Sequence, residues 1–165
     1  MVENRSDTPG GTGEACCCAS LPDLAVVPMG GDGLDERVFA TIERIRDHGG
    51  DLWWLYLSKC KACGQDWMIA QEERIFDCYF LRRLEAGDAH AIIAGERWPA
   101  EFGTYERVLK TGRTMVRPCI FFDALAPSLV WTAQDLRKER PGITIWEIAH
   151  LLDISPAQAA SLLAA

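Results

Sequence analysis

The sequence lacks any long apolar run, since its longest uninterrupted one is LWWLYL at residues 52–57. A membrane-spanning helix needs about 20 consecutive apolar residues, so we expect no transmembrane segment. Residues 1–14 also lack the apolar stretch of a signal peptide. They hold mainly small and polar residues, which predicts a disordered leader. These absences favour a soluble, cytoplasmic protein.

Basic residues are few. The chain holds 17 Lys and Arg against 24 Asp and Glu, a net charge of −7, and nine of the acids against four of the bases lie in residues 1–50. Nucleic acids are bound largely through Lys and Arg on phosphates. The charge therefore argues against direct nucleic-acid binding and suits a basic protein partner.

Recognisable catalytic motifs are also missing. The chain has three histidines, and none lies in a motif that would pair it with a nucleophile. The segment MGGDGLDER lacks the lysine and the spacing of a phosphate-binding loop. We interpret Glu72, Glu73 and Asp77 as solvated faces or part of a partner-binding rim, and we expect no enzymatic activity.

Hydrophobic periodicity predicts the elements of the first half. Apolar residues recur at helical spacing in residues 34–48, which predicts one amphipathic helix ended by Gly49 and Gly50. Aromatic-rich segments on both sides of CKACG predict two antiparallel strands. Gly64 would supply the positive φ of the turn between them.

The second half is predicted to be mainly helical. A short helix would begin at an Asp88 N-cap and end near Gly95, and a second would be closed by Gly112. The segment TMVRPCIFFD is predicted to be a further strand, which Pro118 would keep at the edge of the sheet or mark with a bulge. Three helices should follow, with Thr144 and Ser155 as N-caps.

Seven cysteines in a chain with no export signal indicate thiols or metal ligands more than a disulfide framework. Cys60-x-x-Cys63 followed by Gly is typical of a zinc knuckle, in which a tight turn directs two thiolates at one point. A redox pair and two ordinary thiols are the alternatives. A redox pair would favour the start of a helix, whereas a strand-like segment follows here.

A closed zinc site takes four ligands, so a second pair must come from elsewhere in the chain. Cys16 and Cys18 could both point at one metal from an extended segment, because alternate residues of a strand share a face. Cys17 would be spare, and the alternative is an accessible thiol cluster. His48 is the rival fourth ligand. Cys78 and Cys119, among aromatic residues, are interpreted as buried apolar side chains.

The cysteine pattern resembles that of cysteine-rich immunity proteins of bacterial polymorphic-toxin and contact-dependent inhibition systems. The resemblance covers residues 16–84. It rests on Cys16, Cys18, Leu21, Leu24, Trp53, Tyr56, Cys60, Cys63, Gly64 and Trp67. It implies that the two cysteine pairs meet on one zinc and that the protein binds and neutralises a cognate toxin.

The C-terminal segment ITIWEIAHLLDISPAQAASLL resembles a helix-turn-helix. Its last helix carries no Lys or Arg, and Gln158 is its one side chain suited to a base edge. The resemblance makes a zinc-ribbon regulator that binds DNA the alternative function, but the lack of Lys and Arg argues against DNA recognition by this helix. Helices packed on each other, or forming a homodimer, are the simpler interpretation.

The sequence as a whole predicts an α+β fold: a small antiparallel sheet with a zinc-knuckle hairpin and packed helices, plus a C-terminal helical subdomain. The predicted divisions are a leader at 1–14, a zinc-stapled α+β domain at 15–126 and a three-helix subdomain at 127–165. The predicted function is that of a non-enzymatic immunity protein with one structural zinc.

Overall fold

The computed structural model describes residues 15–165, so the predicted leader at 1–14 lies outside the described residues. Between these limits the chain forms five strands and six α-helices, an α+β fold as predicted. The strands are β1 (Leu24–Pro28), β2 (Ile42–Gly49), β3 (Leu52–Cys60), β4 (Asp66–Glu72) and β5 (Cys78–Arg83). The helices are α1 (Leu34–Phe39), α2 (Ala86–Ile93), α3 (Tyr105–Met115), α4 (Pro127–Glu139), α5 (Ile145–Leu152) and α6 (Pro156–Ala164).

The strands form one antiparallel sheet in the order β1-β5-β4-β3-β2. The predicted hairpin around CKACG is confirmed: it joins β3 to β4, with Lys59 opposite Asp66. Gly64 has a φ of +79°, the left-handed conformation that the turn requires. The central position of β3, β4 and β5 fits their aromatic and branched side chains, which pack well on a pleated surface.

Both faces of the sheet are covered. On one face, Leu57, Met68 and Phe80 pack in a core shared with helices α2 to α6. On the other, Trp67 and Leu81 pack in a second core with α1 and the segment that precedes β1. Burying each such side chain stabilises the fold by roughly 1.5–3 kcal/mol. The segment that precedes β1 is thus held against the sheet by this second apolar core.

The three predicted C-terminal helices are confirmed as α4, α5 and α6. Thr144 and Ser155 cap α5 and α6, each in a reciprocal capping box, and Pro156 occupies the first turn of α6. Leu129 of α4 and Leu162 of α6 are fully buried in the core that also contains the sheet. The division of the chain at residue 127 remains a prediction.

The single helix predicted for residues 34–48 is wrong. Helix α1 ends at Phe39, and residues 42–49 form β2, the edge strand beside β3. Its register shifts twice, between Arg44 and Arg46 and between Asp47 and Gly49. These irregularities break the alternation of faces that identifies a strand, so the apolar residues fell at spacings that imitate a helix.

The predicted strand TMVRPCIFFD is also wrong. Helix α3 continues through Gly112 to Met115, and the residues after it form an irregular connection. Cys119 and Phe121 pack against the main core while Ile120 and Phe122 are 85% and 104% exposed, but the segment pairs with no strand of the described sheet. The helix runs through Gly112, where the Phe76 ring occupies the space that a Cβ would fill. Glycine here makes room for a neighbour and does not stop the helix.

Asp88 and Glu72 have roles other than those predicted. Helix α2 is capped at Glu85, so Asp88 lies in its first turn and is not the N-cap. Glu72, interpreted as solvated, is fully buried and accepts hydrogen bonds from the backbone N–H groups of Arg74, Ile75 and Phe76. The Tyr105 hydroxyl also donates to it. Glu72 therefore organises the connection between β4 and β5.

Among residues 15–165 no helix combines the length and apolar character needed to cross a bilayer.

Candidate metal centre

The β3–β4 turn positions the first cysteine pair. Cys60 is the last residue of β3, and its backbone carbonyl accepts from Gly64 N–H at 2.8 Å. The backbone N–H groups of Ala62 and Cys63 point at the Cys60 sulfur, and that of Gln65 points at the Cys63 sulfur. A tight turn that directs two sulfurs and several N–H groups at one point matches the predicted zinc knuckle.

The second pair comes from the segment before β1. Cys17 has helical backbone angles and Cys18 begins a 3₁₀ turn at Cys18–Ser20, so the expected extended conformation is wrong. The bend nevertheless brings the sulfurs of Cys16 and Cys18 to those of the knuckle. Cys18 is buried and Cys16 is partly buried.

Arg83 and Trp67 hold this segment in place. The Arg83 guanidinium donates to the backbone carbonyls of Cys18 and Leu21 at 2.9 and 2.8 Å. It also donates to Gln65 Oε1 at 2.8 Å and lies over the Trp67 ring at 4.5 Å. The Trp67 indole N–H donates to the Cys18 sulfur at 3.4 Å. The sheet thus fixes the orientation of the Cys18 side chain.

The sulfurs of Cys16, Cys18, Cys60 and Cys63 lie within 4.8 Å of one another, and all four cysteines are free of disulfides. Tetrahedral zinc with Zn–S bonds of about 2.3 Å places its sulfurs about 3.8 Å apart. The cluster therefore has the ligand number and nearly the spacing of a four-thiolate site. These four cysteines could hold a metal ion.

The local environment shifts the pKa values of Cys18 and Cys60 in opposite directions. Burial raises the pKa of Cys18 to about 12, although the Trp67 N–H acts in the opposite direction. Burial also raises the pKa of Cys60, but hydrogen bonds from Thr41 and the turn N–H groups outweigh it and leave a pKa of about 6. Four thiolates this close repel one another. A bound cation would offset that repulsion and stabilise all four as thiolates.

The arrangement is that of a closed site. Four cysteine ligands fill a tetrahedral coordination sphere and leave no position for a substrate or a water molecule. Thiolates are soft ligands, which favours zinc, copper(I) or iron over magnesium or calcium. A metal here would join the N-terminal segment to the central hairpin.

The other candidate ligands lie elsewhere. His48, the predicted rival ligand, is exposed on β2, with its ring 5.0 Å from that of Trp98. Cys17 is outside the group of four sulfurs. Cys78 is buried, which raises the pKa of its thiol to about 11, and Cys119 is partly buried against the main core.

Three supporting residues were not identified from the sequence as part of this site. Arg83 donates to the backbone carbonyls of Cys18 and Leu21, which leave no mark in a sequence pattern. The Thr41 hydroxyl lies 3.3 Å from the Cys60 sulfur across the β2–β3 pairing. Trp67 follows Cys63 at a spacing included in the resemblance, and this was the only signal that could have identified it.

Comparison with known proteins assigns no family: the chain matches no protein-family model, no curated protein and no solved structure.

Proposed function

We propose that this protein is a non-enzymatic immunity protein that binds and neutralises a cognate bacterial toxin. In this proposal one structural zinc, held by Cys16, Cys18, Cys60 and Cys63, stabilises the fold. The four-cysteine cluster is the observation that carries the proposal, because a closed site supports structure rather than turnover. The toxin as partner is what the resemblance of the cysteine pattern implies.

The histidines support a non-enzymatic role. His48, His90 and His150 are all exposed and lie on β2, α2 and α5 respectively. A histidine base works when a nucleophile and an orienting group lie within hydrogen-bond reach. Among residues 15–165, one histidine side chain makes a hydrogen bond within the protein: the His48 ring donates to the neighbouring Gly49 carbonyl.

Three exposed tryptophans are available as anchors in a protein interface. Trp53, Trp131 and Trp146 are 55%, 59% and 73% exposed. Tryptophan is enriched among the few residues that dominate binding energy in protein interfaces. The net charge of −7 would also speed association with a basic toxin.

DNA binding through α5 and α6 is less well supported. Asp153, in the left-handed conformation, separates the two helices, as in a short helix-turn-helix connection. However, the chain has no Lys or Arg after Arg140. Without cations near the recognition position, these helices would lack the phosphate contacts that supply most DNA affinity.

Metal analysis of the purified protein tests the zinc site. We expect one zinc per chain by native mass spectrometry, lost on acidification. The double substitution Cys16→Ser and Cys18→Ser should abolish zinc binding, because two ligands do not form a closed site. Cys17→Ser is the matched control and should retain the metal. Metal-free protein with Cys60 and Cys63 joined in a disulfide would instead support a thiol-redox role.

Growth protection tests the partner. The protein would be co-expressed in a bacterium with the toxin domains encoded beside its gene, and survival would be compared with that of cells expressing the toxin alone. Protection accompanied by a stable complex of the two chains supports the proposal. Survival unchanged by the protein would refute it.

A further inference from the structure

A cavity of about 400 Å³ opens where β2 turns into β3, beside the start of α3 and the end of α4. Trp53, at its mouth, precedes Cys60 by seven positions on β3, about 23 Å at 3.3 Å per residue. The cavity is therefore separate from the metal centre. Its volume lies in the range of small-ligand sites.

Aromatic side chains form much of its wall. Trp54 and Tyr105 are buried and meet edge to face, with ring centroids 5.4 Å apart and an interplanar angle of 71°. Trp53 is 55% exposed and lines the same cavity. An aromatic face carries partial negative charge and attracts a cation within about 6 Å.

The bases that line the cavity are already paired. Arg74 donates to Asp135 at 2.6 Å, and Lys138 lies 3.7 Å from Asp51. Neither base therefore leaves an uncompensated positive charge at the site. Arg74 also lies over the Tyr105 ring, with its guanidinium carbon 5.3 Å from the ring centroid. The wall thus already stacks one guanidinium on an aromatic ring.

Glu139 of the wall and Glu72, which is buried behind the wall, are not balanced by a base. Glu139 accepts from the backbone N–H groups of Tyr105 and Glu106, at 2.8 and 3.2 Å. Glu72, behind Tyr105, accepts from backbone N–H groups and the Tyr105 hydroxyl. Within residues 15–165 neither carboxylate has a Lys or Arg within salt-bridge distance. The cavity therefore carries excess negative charge behind its aromatic surface.

We infer that this cavity is a docking site for an arginine side chain of a protein partner. The inference rests on the proposed function in that the cognate toxin is the partner that would supply the arginine. A planar guanidinium stacks on aromatic faces better than an ammonium does and is less strongly hydrated. The same chain places Arg44 over Tyr56 at 3.6 Å and Arg83 over Trp67 at 4.5 Å, which are internal examples of this contact.

Titration with a small probe tests the chemistry of the cavity without any toxin. N-acetyl-arginine amide would be added to the purified protein while the tryptophan indole N–H signals are followed by NMR. We expect a saturable shift of the Trp53 signal with a Kd on the order of 1–10 mM, as suits one unassisted side chain. N-acetyl-citrulline amide has nearly the same shape without the charge and should bind at least about fivefold more weakly.

Matched variants locate the binding. Trp53→Ala should abolish the response, which in this variant is followed through the Trp54 indole signal. Trp131→Ala should leave it unchanged, because Trp131 has similar exposure on α4 but does not line the cavity. The inference is overturned if no saturable shift occurs, if citrulline amide binds equally well, or if Trp53→Ala binds like the wild type.

The same variants separate this inference from the proposed function. In the growth-protection assay Trp53→Ala should protect at least about tenfold less well than the wild type, as expected for an anchor worth about 1.4 kcal/mol or more. Trp131→Ala should protect fully. If both variants protect fully, the arginine docking site is refuted and the immunity function stands. If the wild type fails to protect, the immunity function is refuted, and the probe titration alone decides whether the cavity binds arginine.

Discussion

At the scale of single residues, Glu72 shows how burial changes the role of a charged side chain. In sequence it belongs to the acidic run QEERIFD and was interpreted as solvated. In the structure it is fully buried and accepts from three consecutive backbone N–H groups after β4. A buried carboxylate is tolerated when several donors replace the lost water. The order of polar residues in the sequence does not show which carboxylate lies beside such donors in the fold.

Replacing Glu72 with Gln should destabilise the protein by about 2–3 kcal/mol, because the amide loses the charge and one acceptor oxygen in a buried network. Glu73→Gln is the matched control: Glu73 is the exposed neighbour and should change the free energy of unfolding by less than about 0.5 kcal/mol. Urea unfolding followed by circular dichroism measures both values. Equal stability of the two variants would contradict the role assigned to Glu72.

At the scale of elements, Arg140 links three helices. Its guanidinium donates to both Glu106 oxygens, at 2.9 and 3.0 Å, and to Glu147 Oε1 at 2.8 Å. The three residues belong to α3, the end of α4 and the first turn of α5. The Arg140 side chain and the N–H and hydroxyl of Thr144 lower the pKa of Glu147 to about 2. This contact fixes how the C-terminal helices meet α3.

Replacing Arg140 with Ala should raise the pKa of Glu147 towards its ordinary value of 4.5, without reaching it because Thr144 still donates. The folded-state pKa is lowered, so the contribution of Glu147 to stability is complete above about pH 4.5 and is lost as the pH falls towards 2. The stability difference between wild type and variant should therefore shrink over that interval. Carboxyl NMR titration and acid unfolding measure the two effects.

The exposed pair Arg97 and Asp88, 3.5 Å apart, supplies the control for this prediction. Its guanidinium is 76% exposed, and such pairs contribute little to stability. Arg97→Ala should leave the pKa of Glu147 unchanged. A Glu147 pKa that stays near 2 in the Arg140 variant would show that Thr144 alone is responsible.

At the scale of the whole molecule, the two cores lie on opposite faces of one sheet. The larger core joins the sheet to helices α2 to α6, whereas the smaller one joins it to α1 and the cysteine-bearing segment. The four cysteines lie at the end of the smaller core, which includes the buried side chains of Cys18 and Cys60. A metal at this position would stabilise the smaller core directly and the larger one only through the sheet.

Removing a metal bound at the four cysteines with a chelator should therefore loosen the molecule unevenly. We expect amide hydrogen exchange to increase in residues 15–22 and 58–67, while α4 to α6 stay protected, because local opening follows the distribution of buried contacts. The thermal midpoint should fall by about 5–15 °C, since a structural metal contributes its binding energy to folding. Uniform loss of protection across the chain would show that the two cores unfold together.

Local chemistry in the sequence determined the features that depend on a few neighbouring residues. The CKACG turn and the N-caps of α5 and α6 were predicted because a left-handed glycine and an N-cap hydroxyl act within four residues. The selection of Cys16, Cys18, Cys60 and Cys63 followed from ligand number and spacing. The structure brings these four sulfurs together, and metal binding by them is the prediction that elemental analysis will decide.

Tertiary structure alone decided the features that depend on distant partners. Residues 42–49 form a strand because β3 offers a free edge, and the irregular register of β2 removed the alternation that would have revealed it. Gly112 lies inside α3, where the Phe76 ring occupies the space that a Cβ would fill. Arg83 supports the cysteine cluster through backbone carbonyls of a segment more than 60 residues away. No local pattern encodes these contacts, since each depends on where the chain returns after folding.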